Sequence, residues 1–307
     1  CVDDRAAAAL LERCATRNET AEEVPWAPRR GYWLDAAARP GLDAAHVEGE
    51  FYVQEASAML SVAALCRDAP RDRRLVAIDA CAAPGGKTVQ LATTLREATD
   101  DFVVLANDPS SSRLGALTAN ARRCGVEPWL AVARGDAGAL FNALPAASAD
   151  LILVDAPCSG DATCRPPRGL GLAKHIAAQP SVGDLAGIAE TQTRLTKAAW
   201  RALRPGGVLV YSTCSLRVDE DEDVVVALLE AEPDAALESL ADLYPGAPES
   251  SSPRLPGALR AWPQAHDAAG FFVARIRKRG DGAVLGEAAV DDAPPRGPAV
   301  VDDAPPR

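Results

Sequence analysis

Two cysteines stand in the same local setting at separate places in this sequence. Leu151–Gly160 reads Leu-Ile-Leu-Val-Asp-Ala-Pro-Cys-Ser-Gly, and Val208–Ser215 reads Val-Leu-Val-Tyr-Ser-Thr-Cys-Ser. In each, an unbroken apolar run, as expected of a parallel strand buried on both faces, gives way to a short polar loop carrying a thiol. Asp155 ends the first run, and Pro157 forbids further ladder pairing before Cys158. Cys214 follows the second run. The chemistry on offer is nucleophilic: a thiolate attacks an electrophile while nearby acid or base groups handle protons. A free thiol of pKa about 8.5 is only a few per cent ionised at neutral pH, a cost of roughly 2 kcal/mol that nearby loop N–H groups are candidates to offset. If the two strands are neighbours, both cysteines face one pocket.

A third stretch, Ile78-Asp79-Ala80-Cys81-Ala82-Ala83-Pro84-Gly85-Gly86-Lys87-Thr88, joins a strand to a helix. Its small residues let the backbone approach a ligand, and the helix start supplies free N–H groups. A phosphate-binding loop fits Gly86-Lys87-Thr88, but Cys81 occupies its first glycine and Pro84 stiffens it. The Gly-x-Gly-x-x-Gly of a dinucleotide fold is absent. The nucleoside loop of a methyltransferase is the third reading, level with the first on the loop alone. Asp108 separates them: it ends the next strand, about 20 residues past the glycines, where a carboxylate can accept both ribose hydroxyls. Asp136 follows the strand after that. Taken singly, these acids also suit helix N-caps. Taken with Asp155, acids at successive strand ends repel a triphosphate and suit a cationic sulfonium nucleoside. S-adenosyl-L-methionine fits this set and ATP does not. The predicted cofactor residues are Cys81, Ala82, Ala83, Pro84, Gly85, Gly86, Lys87, Asp108, Asp136 and Asp155.

The scaffold these loops require is legible from Arg74 onward. Short apolar runs at Leu75–Ile78, Val103–Ala106, Leu130–Ala133, Leu151–Val154 and Val208–Tyr211 alternate with helical stretches near Thr88–Leu95, Ser110–Arg123 and Asp184–Leu203. This is the pattern of a doubly wound α/β sheet, mostly parallel. Glu220–Glu230 predicts a helix with an acidic start, and Phe271–Arg277 a late strand. Before them, Val2–Thr20 predicts an alanine-rich helix, a loop-rich connector runs to about Glu50, and Phe51–Leu65 turns into a helix with Ala56, Met59, Leu60 and Ala63 on one stripe. The expected organisation is an extension over 1–50, a catalytic domain over 51–280, and an acidic, Pro-rich disordered tail over 281–307, where Val-Asp-Asp-Ala-Pro-Pro-Arg occurs at Val290–Arg296 and again at Val301–Arg307.

With 307 residues, 48% of them hydrophobic, the chain can bury a full core. It has no apolar run of about 18 residues, so no membrane span is expected. The first residue is Cys1 rather than Met, as in a piece of a longer protein, and no cleavable signal pattern opens the chain. Eight cysteines without Cys-x-x-Cys spacing, beside three histidines, point to thiol chemistry in an intracellular enzyme rather than to disulfides or a metal site. His46, His175 and His266 are expected to be surface or packing residues. A net charge of −11 excludes a generally basic nucleic-acid binder, so a polyanion partner would need a local basic face.

Together these stretches resemble the NSUN/RsmB-type (Sun family) RNA cytosine-5 methyltransferases. The matching residues are Phe51–Met59, Cys81–Thr88, Asn107-Asp108, Gly135-Asp136, Asp155–Gly160, Tyr211–Leu216 and Phe271–Ala274. The resemblance implies a class I, Rossmann-like methyltransferase fold with a seven-stranded sheet whose late strand is antiparallel. It also implies Cys214 as nucleophile toward cytosine carbon-6, Cys158 as the cysteine that helps release product, Asp155 as partner of ring N3, and Lys87 close to both. Pro25-Trp26-Ala27-Pro28, Trp33 and Asp161-Ala162-Thr163 resemble the tRNA-modifying branch, making tRNA the first expectation and ribosomal RNA the second. Ala162, Pro166, Val218 and Asp221 depart from that branch. The alternatives are a non-catalytic RNA-bound assembly factor of the same fold and a P-loop NTPase. Basic groups at Arg71/Arg73/Arg74, Arg122/Arg123, Arg165/Arg168 and Arg275/Arg277/Lys278/Arg279 are candidates to hold an RNA backbone, with Arg165/Arg168 first.

Overall fold

The computed structural model describes residues 1–27, 30–35, 38–163, 182–241, 243, 255–266 and 268–280. The predicted tail, Cys164, Arg165, Arg168 and His175 lie outside them. Helix α1 (Asp4–Arg17) starts where the Asp3 side chain accepts the N–H of Ala6 and ends at Asn18 in the left-handed region. Its Leu10 and Cys14 pack with Ala45 of α2 (Ala44–Glu48) and with Phe51.

Where the sequence predicts only a connector, β1 (Ala21–Glu23) pairs antiparallel with β2 (Tyr32–Leu34). Strands this short carry too little alternation to be read from sequence. The intervening Trp26 is buried, donates its indole N–H to the Ala56 carbonyl at 2.8 Å, and meets Trp33 edge-on with centroids 5.5 Å apart. It fastens the amino-terminal part to the main body.

The main sheet comprises β3 (Leu75–Asp79), β4 (Phe102–Asn107), β5 (Leu130–Ala133), β6 (Ala149–Asp155), β7 (Leu203–Thr213), β8 (Ala235–Glu238), β9 (Leu259–Ala261) and β10 (Phe271–Lys278). Its order is β5-β4-β3-β6-β7-β10-β8, with β9 also paired to β10. Strands β3 to β7 run parallel, and β10 is antiparallel to β7, β8 and β9. The described sheet therefore has eight strands rather than the expected seven. Strand β7 also begins well before its apolar run, passing through Pro205-Gly206-Gly207, which reads as a break. A Cβ on Gly207 would lie 2.9 Å from the Asp150 carbonyl oxygen, so glycine permits the close approach beside the bulge in β6.

Side chains alternate across the sheet into two cores. Leu151 and Leu153 of β6, Val208 and Val210 of β7, and Phe271 and Val273 of β10 face one. Ile152 and Val154, Leu209 and Tyr211, Phe272 and Ala274 face the other. The first is covered by α3 (Met59–Cys66) and α4 (Gly86–Ala98), the second by α6 (Ala137–Ala143), α7 (Val182–Ala202) and α8 (Glu222–Ala231). Helix α3 departs from its predicted stripe: Leu60, Val62, Ala64 and Leu65 are buried, whereas Met59 and Ala63 line a cavity of about 370 Å³ that also touches Trp26, Tyr52 and Gln90. The helix is wedged between the sheet and α4, so its apolar surface is not a single stripe. Between β4 and β5 lies α5 (Ser111–Arg123). Among the described residues no helix is long and apolar enough to cross a membrane.

Strand β3 has β4 on one side and β6 on the other. The chain order reverses there, and the crevice outside the carboxyl ends of such strands is where open α/β sheets bind ligands.

Candidate active site

Strands β6 and β7 are parallel neighbours, with Asp155 opposite Ser212. Both cysteine loops therefore leave the sheet at the same edge. The Ala156 N–H donates to the Ser212 carbonyl at 2.9 Å, carrying the pairing past the end of β6. Cys158 Sγ and Cys214 Sγ lie 3.3 Å apart, both half-buried and both free thiols. A thiol pair this close shares its protons, so the two titrate together. The hydrogen bond from Cys158 pulls the Cys214 thiol below its ordinary value; burial and Asp155 oppose this, and Lys87 assists. The same hydrogen bond, with burial, pushes Cys158 up. Cys214 is thus the sulfur that ionises first.

Asp155 is held between two partners. Ser212 Oγ donates to one carboxylate oxygen at 2.8 Å, and Lys87 Nζ donates to the other at 2.8 Å. Burial disfavours the Lys87 ammonium, but Asp155, followed by Asp79 and Cys214, outweighs it and holds Lys87 above its ordinary value. The ammonium also sits 5.3 Å from the centroid of the Phe271 ring.

The loop from β3 to α4 is laced into place from outside. Ala82 N–H donates to the Asn107 carbonyl at 2.8 Å, and Asn120 Nδ2 to the Pro84 carbonyl at 3.0 Å. The buried Asn107 amide reaches Ala80 O at 3.0 Å and Gly135 O at 3.1 Å, tying three strand tips together. Gly85 has φ of +107°, and a Cβ on Gly86 would lie 2.8 Å from Gln54 Oε1 and 3.0 Å from the Tyr52 ring. Cys81, within this loop, differs from Cys214: burial, then Asp79, Asp155 and Asp108, push its thiol up to about 12.

The profile of the family described as 16S rRNA methyltransferase RsmB/F matches residues 65–277. This chain belongs to that family. Among curated RsmB/F relatives, ribosomal RNA small subunit methyltransferase F of Aeromonas salmonicida is 42% identical over 261 residues, 84% of this chain and 52% of its own length. The Escherichia coli protein of the same name is 41% identical over 274 residues, covering 88% of this chain and 54% of its own length. The chain thus spans about half the length of these relatives. Among solved structures, a methyltransferase homolog protein from Pyrococcus horikoshii aligns with TM-score 0.71 at 30% identity, over 89% of this chain and 82% of that one. NSun6 from Pyrococcus horikoshii, solved with SFG, aligns with TM-score 0.64 at 31% identity, over 78% of this chain and 56% of that one. The fold is that of class I S-adenosylmethionine-dependent methyltransferases, and S-adenosylmethionine is the cofactor of this RsmB/F chain.

The residues at the RsmB/F strand tips suit that cation. Asp79, Asp108 and Asp155 end β3, β4 and β6 or stand just past them, and the buried Asp79 Oδ1 lacks a hydrogen-bond partner. Asp79 was not among the predicted site residues, although it ends its strand as Asp155 does. Its other oxygen accepts from Thr88 Oγ1 at 2.7 Å, and burial pushes the carboxyl up to about 7. Ser212, which orients Asp155, was also missed because nothing in sequence announces its register.

The other predicted acids have local partners. Asp108 is buried, accepts from Ser110 N–H at 2.9 Å and pairs with Arg113 at 3.2 Å; the cap of α5 is Ser110, not Asp108. Asp136 caps α6, accepting from Ala139 N–H at 2.9 Å, and pairs with Arg194 at 3.2 Å, which with the cap bond holds its carboxyl low. Of the basic groups, Arg275 is buried and paired with Asp68 and Glu238, and Arg277 pairs with the same two acids, so these two belong to an internal ion network rather than an RNA-facing patch. His46 faces the Phe51 carbonyl at 3.1 Å, and His266 Nδ1 accepts from Trp262 N–H at 2.8 Å, both local packing contacts.

Proposed function

We propose that this chain carries an RNA (cytosine-5)-methyltransferase centre acting on small-subunit ribosomal RNA, with Cys214 as nucleophile and Cys158 as the group that frees the product. The single observation behind this reading is the 3.3 Å approach of the two sulfurs beside the Lys87–Asp155 pair. Carbon-5 of cytosine is a poor nucleophile until its aromatic ring is broken. The Cys214 thiolate adds to carbon-6, and the displaced electron pair makes the ring enamine-like. Ring N3 takes up one proton from the Lys87–Asp155 pair, in which Lys87 carries it and Asp155 accepts it, and N3 returns it to the pair when the carbon-6 bond to sulfur breaks. Bound S-adenosylmethionine would supply an electrophilic methyl group to carbon-5 and leave as the neutral thioether, and the residues that would hold it are the Asp79–Thr88 loop and the acids Asp108 and Asp136. Once Cys214 is a thioether, the thiolate that held the Cys158 proton is gone and only burial still raises that thiol, so Cys158 can give its proton to solvent and ionise. It is then placed to take the carbon-5 proton as Cys214 departs as a thiolate.

A target base must leave its stack to reach sulfurs in this crevice, which favours an unpaired cytidine. The names of the curated relatives support ribosomal RNA over tRNA. The features that resemble the tRNA branch have structural uses: Trp26 and Trp33 pack on each other, and Asp161 accepts the Leu216 N–H at 3.0 Å. The test is incubation with methyl-labelled S-adenosylmethionine and either small-subunit ribosomal RNA or tRNA, followed by nucleoside analysis. Label in 5-methylcytidine from ribosomal RNA is expected. Label in another nucleoside, or only in tRNA, contradicts the reading.

A further inference from the structure

Glu220 is fully buried just before α8, yet its carboxylate has no part in the chemistry above. Its Oε2 accepts the backbone N–H of Ser159 at 2.8 Å and the amide N–H of Gln192 at 3.2 Å. Gln192, fully buried on α7, gives the same amide nitrogen to the Pro157 carbonyl at 2.9 Å. Both residues that flank Cys158 are therefore gripped, one by the carboxylate and one by the amide it orients. The Glu220 carbonyl also accepts the hydroxyl of Tyr211, which lies on β7, the strand that ends at Cys214. One residue thus holds the turn of one thiol by its side chain and the strand of the other by its backbone. Burying a carboxylate is costly unless donors compensate it; here the donors are Ser159 and Gln192, both on Oε2, and the Arg217 guanidinium adds a nearby positive charge, its Nε 3.6 Å from Oε1.

We propose that Glu220 is a positioning residue that, braced by Gln192, holds the Pro157-Cys158-Ser159 turn against the Cys214 strand and so sets the separation of the two sulfurs. Only the RNA arm of its test rests on the function proposed above.

The direct probe is phenylarsine oxide, whose trivalent arsenic bonds two neighbouring thiols and releases water. The wild-type chain is titrated beside Cys158→Ala and Cys214→Ala, which report capture by any other cysteines. Glu220→Ala and Gln192→Met are expected to weaken capture by the pair roughly 10- to 100-fold, the scale of losing a buried charged hydrogen bond. Glu220→Gln, which keeps an oxygen for Ser159, should restore most of it, and S-adenosylmethionine affinity shows that the variants are folded. Wild-type capture by Glu220→Ala overturns the proposal; if that variant does not fold, wild-type capture by Gln192→Met does so. In the RNA arm, Glu220→Ala should slow product release and accumulate a covalent protein–RNA adduct, whereas wild-type turnover without adduct overturns the proposal. A wild-type chain that methylates no RNA would contradict the proposed function and leave the arsenical arm to judge Glu220.

Discussion

Lys87 Nζ lies 2.8 Å from Asp155 Oδ2, although Lys87 stands in the first turn of α4 and Asp155 ends β6, far apart in sequence. The pair places an ammonium and a carboxylate next to Cys214, and Lys87 helps to lower the Cys214 thiol while Asp155 works against it. Replacing Lys87 with Met removes the cation and leaves Asp155 beside the thiolate without its counter-charge. The expected result is a loss of kcat of roughly 10²- to 10⁴-fold, the range of a positioned proton-transfer group. Methyl transfer under saturating S-adenosylmethionine measures it, and a kcat within a few-fold of wild type would remove Lys87 from the mechanism.

The thiol pair predicts a pH signature. Because the hydrogen bond from Cys158 is the largest cause lowering Cys214, iodoacetamide should alkylate Cys214 with a midpoint below that of an ordinary thiol. Cys158→Ala deletes that donor, so the midpoint should rise. A midpoint that stays in place in Cys158→Ala would mean that the two sulfurs titrate independently.

Asp79 carries a stability signature of opposite sense to most carboxylates. Its folded carboxyl is pushed up to about 7, so the folded chain keeps a proton that the unfolded chain releases from about pH 4 upward. Folding should weaken as pH rises through that window and stay at the lower level above it. Asp79→Asn removes this contribution, so it should gain stability relative to wild type near pH 8 compared with near pH 5, by an amount on the order of a few kcal/mol at most. Urea unfolding at the two pH values tests it; an equal difference at both would show that Asp79 is ionised throughout.

How much of this was legible in the sequence depended on burial. Strands β3, β4, β6 and β7 announce themselves because both faces are covered, giving continuous apolar runs, and the acids and thiols at their ends follow directly. The hairpin around Trp26, the short β8 and β9, and α6 carry too few residues for any period to show. Arg275 and Arg277 were misread as surface charge because their partners Asp68 and Glu238 are contributed by other elements. The same reason hid Ser212 and Glu220: each acts through a neighbour that only the register of β6 on β7 supplies.

The central claim is a division of labour between two sulfurs, and trapping tests it most directly. Each single variant is mixed with S-adenosylmethionine and substrate RNA, and protein–RNA species that survive denaturation are counted. Cys158→Ala should accumulate the covalent adduct because carbon-5 keeps its proton and Cys214 cannot leave, while Cys214→Ala should form none. Normal turnover by Cys158→Ala, or an adduct in Cys214→Ala, would contradict the account.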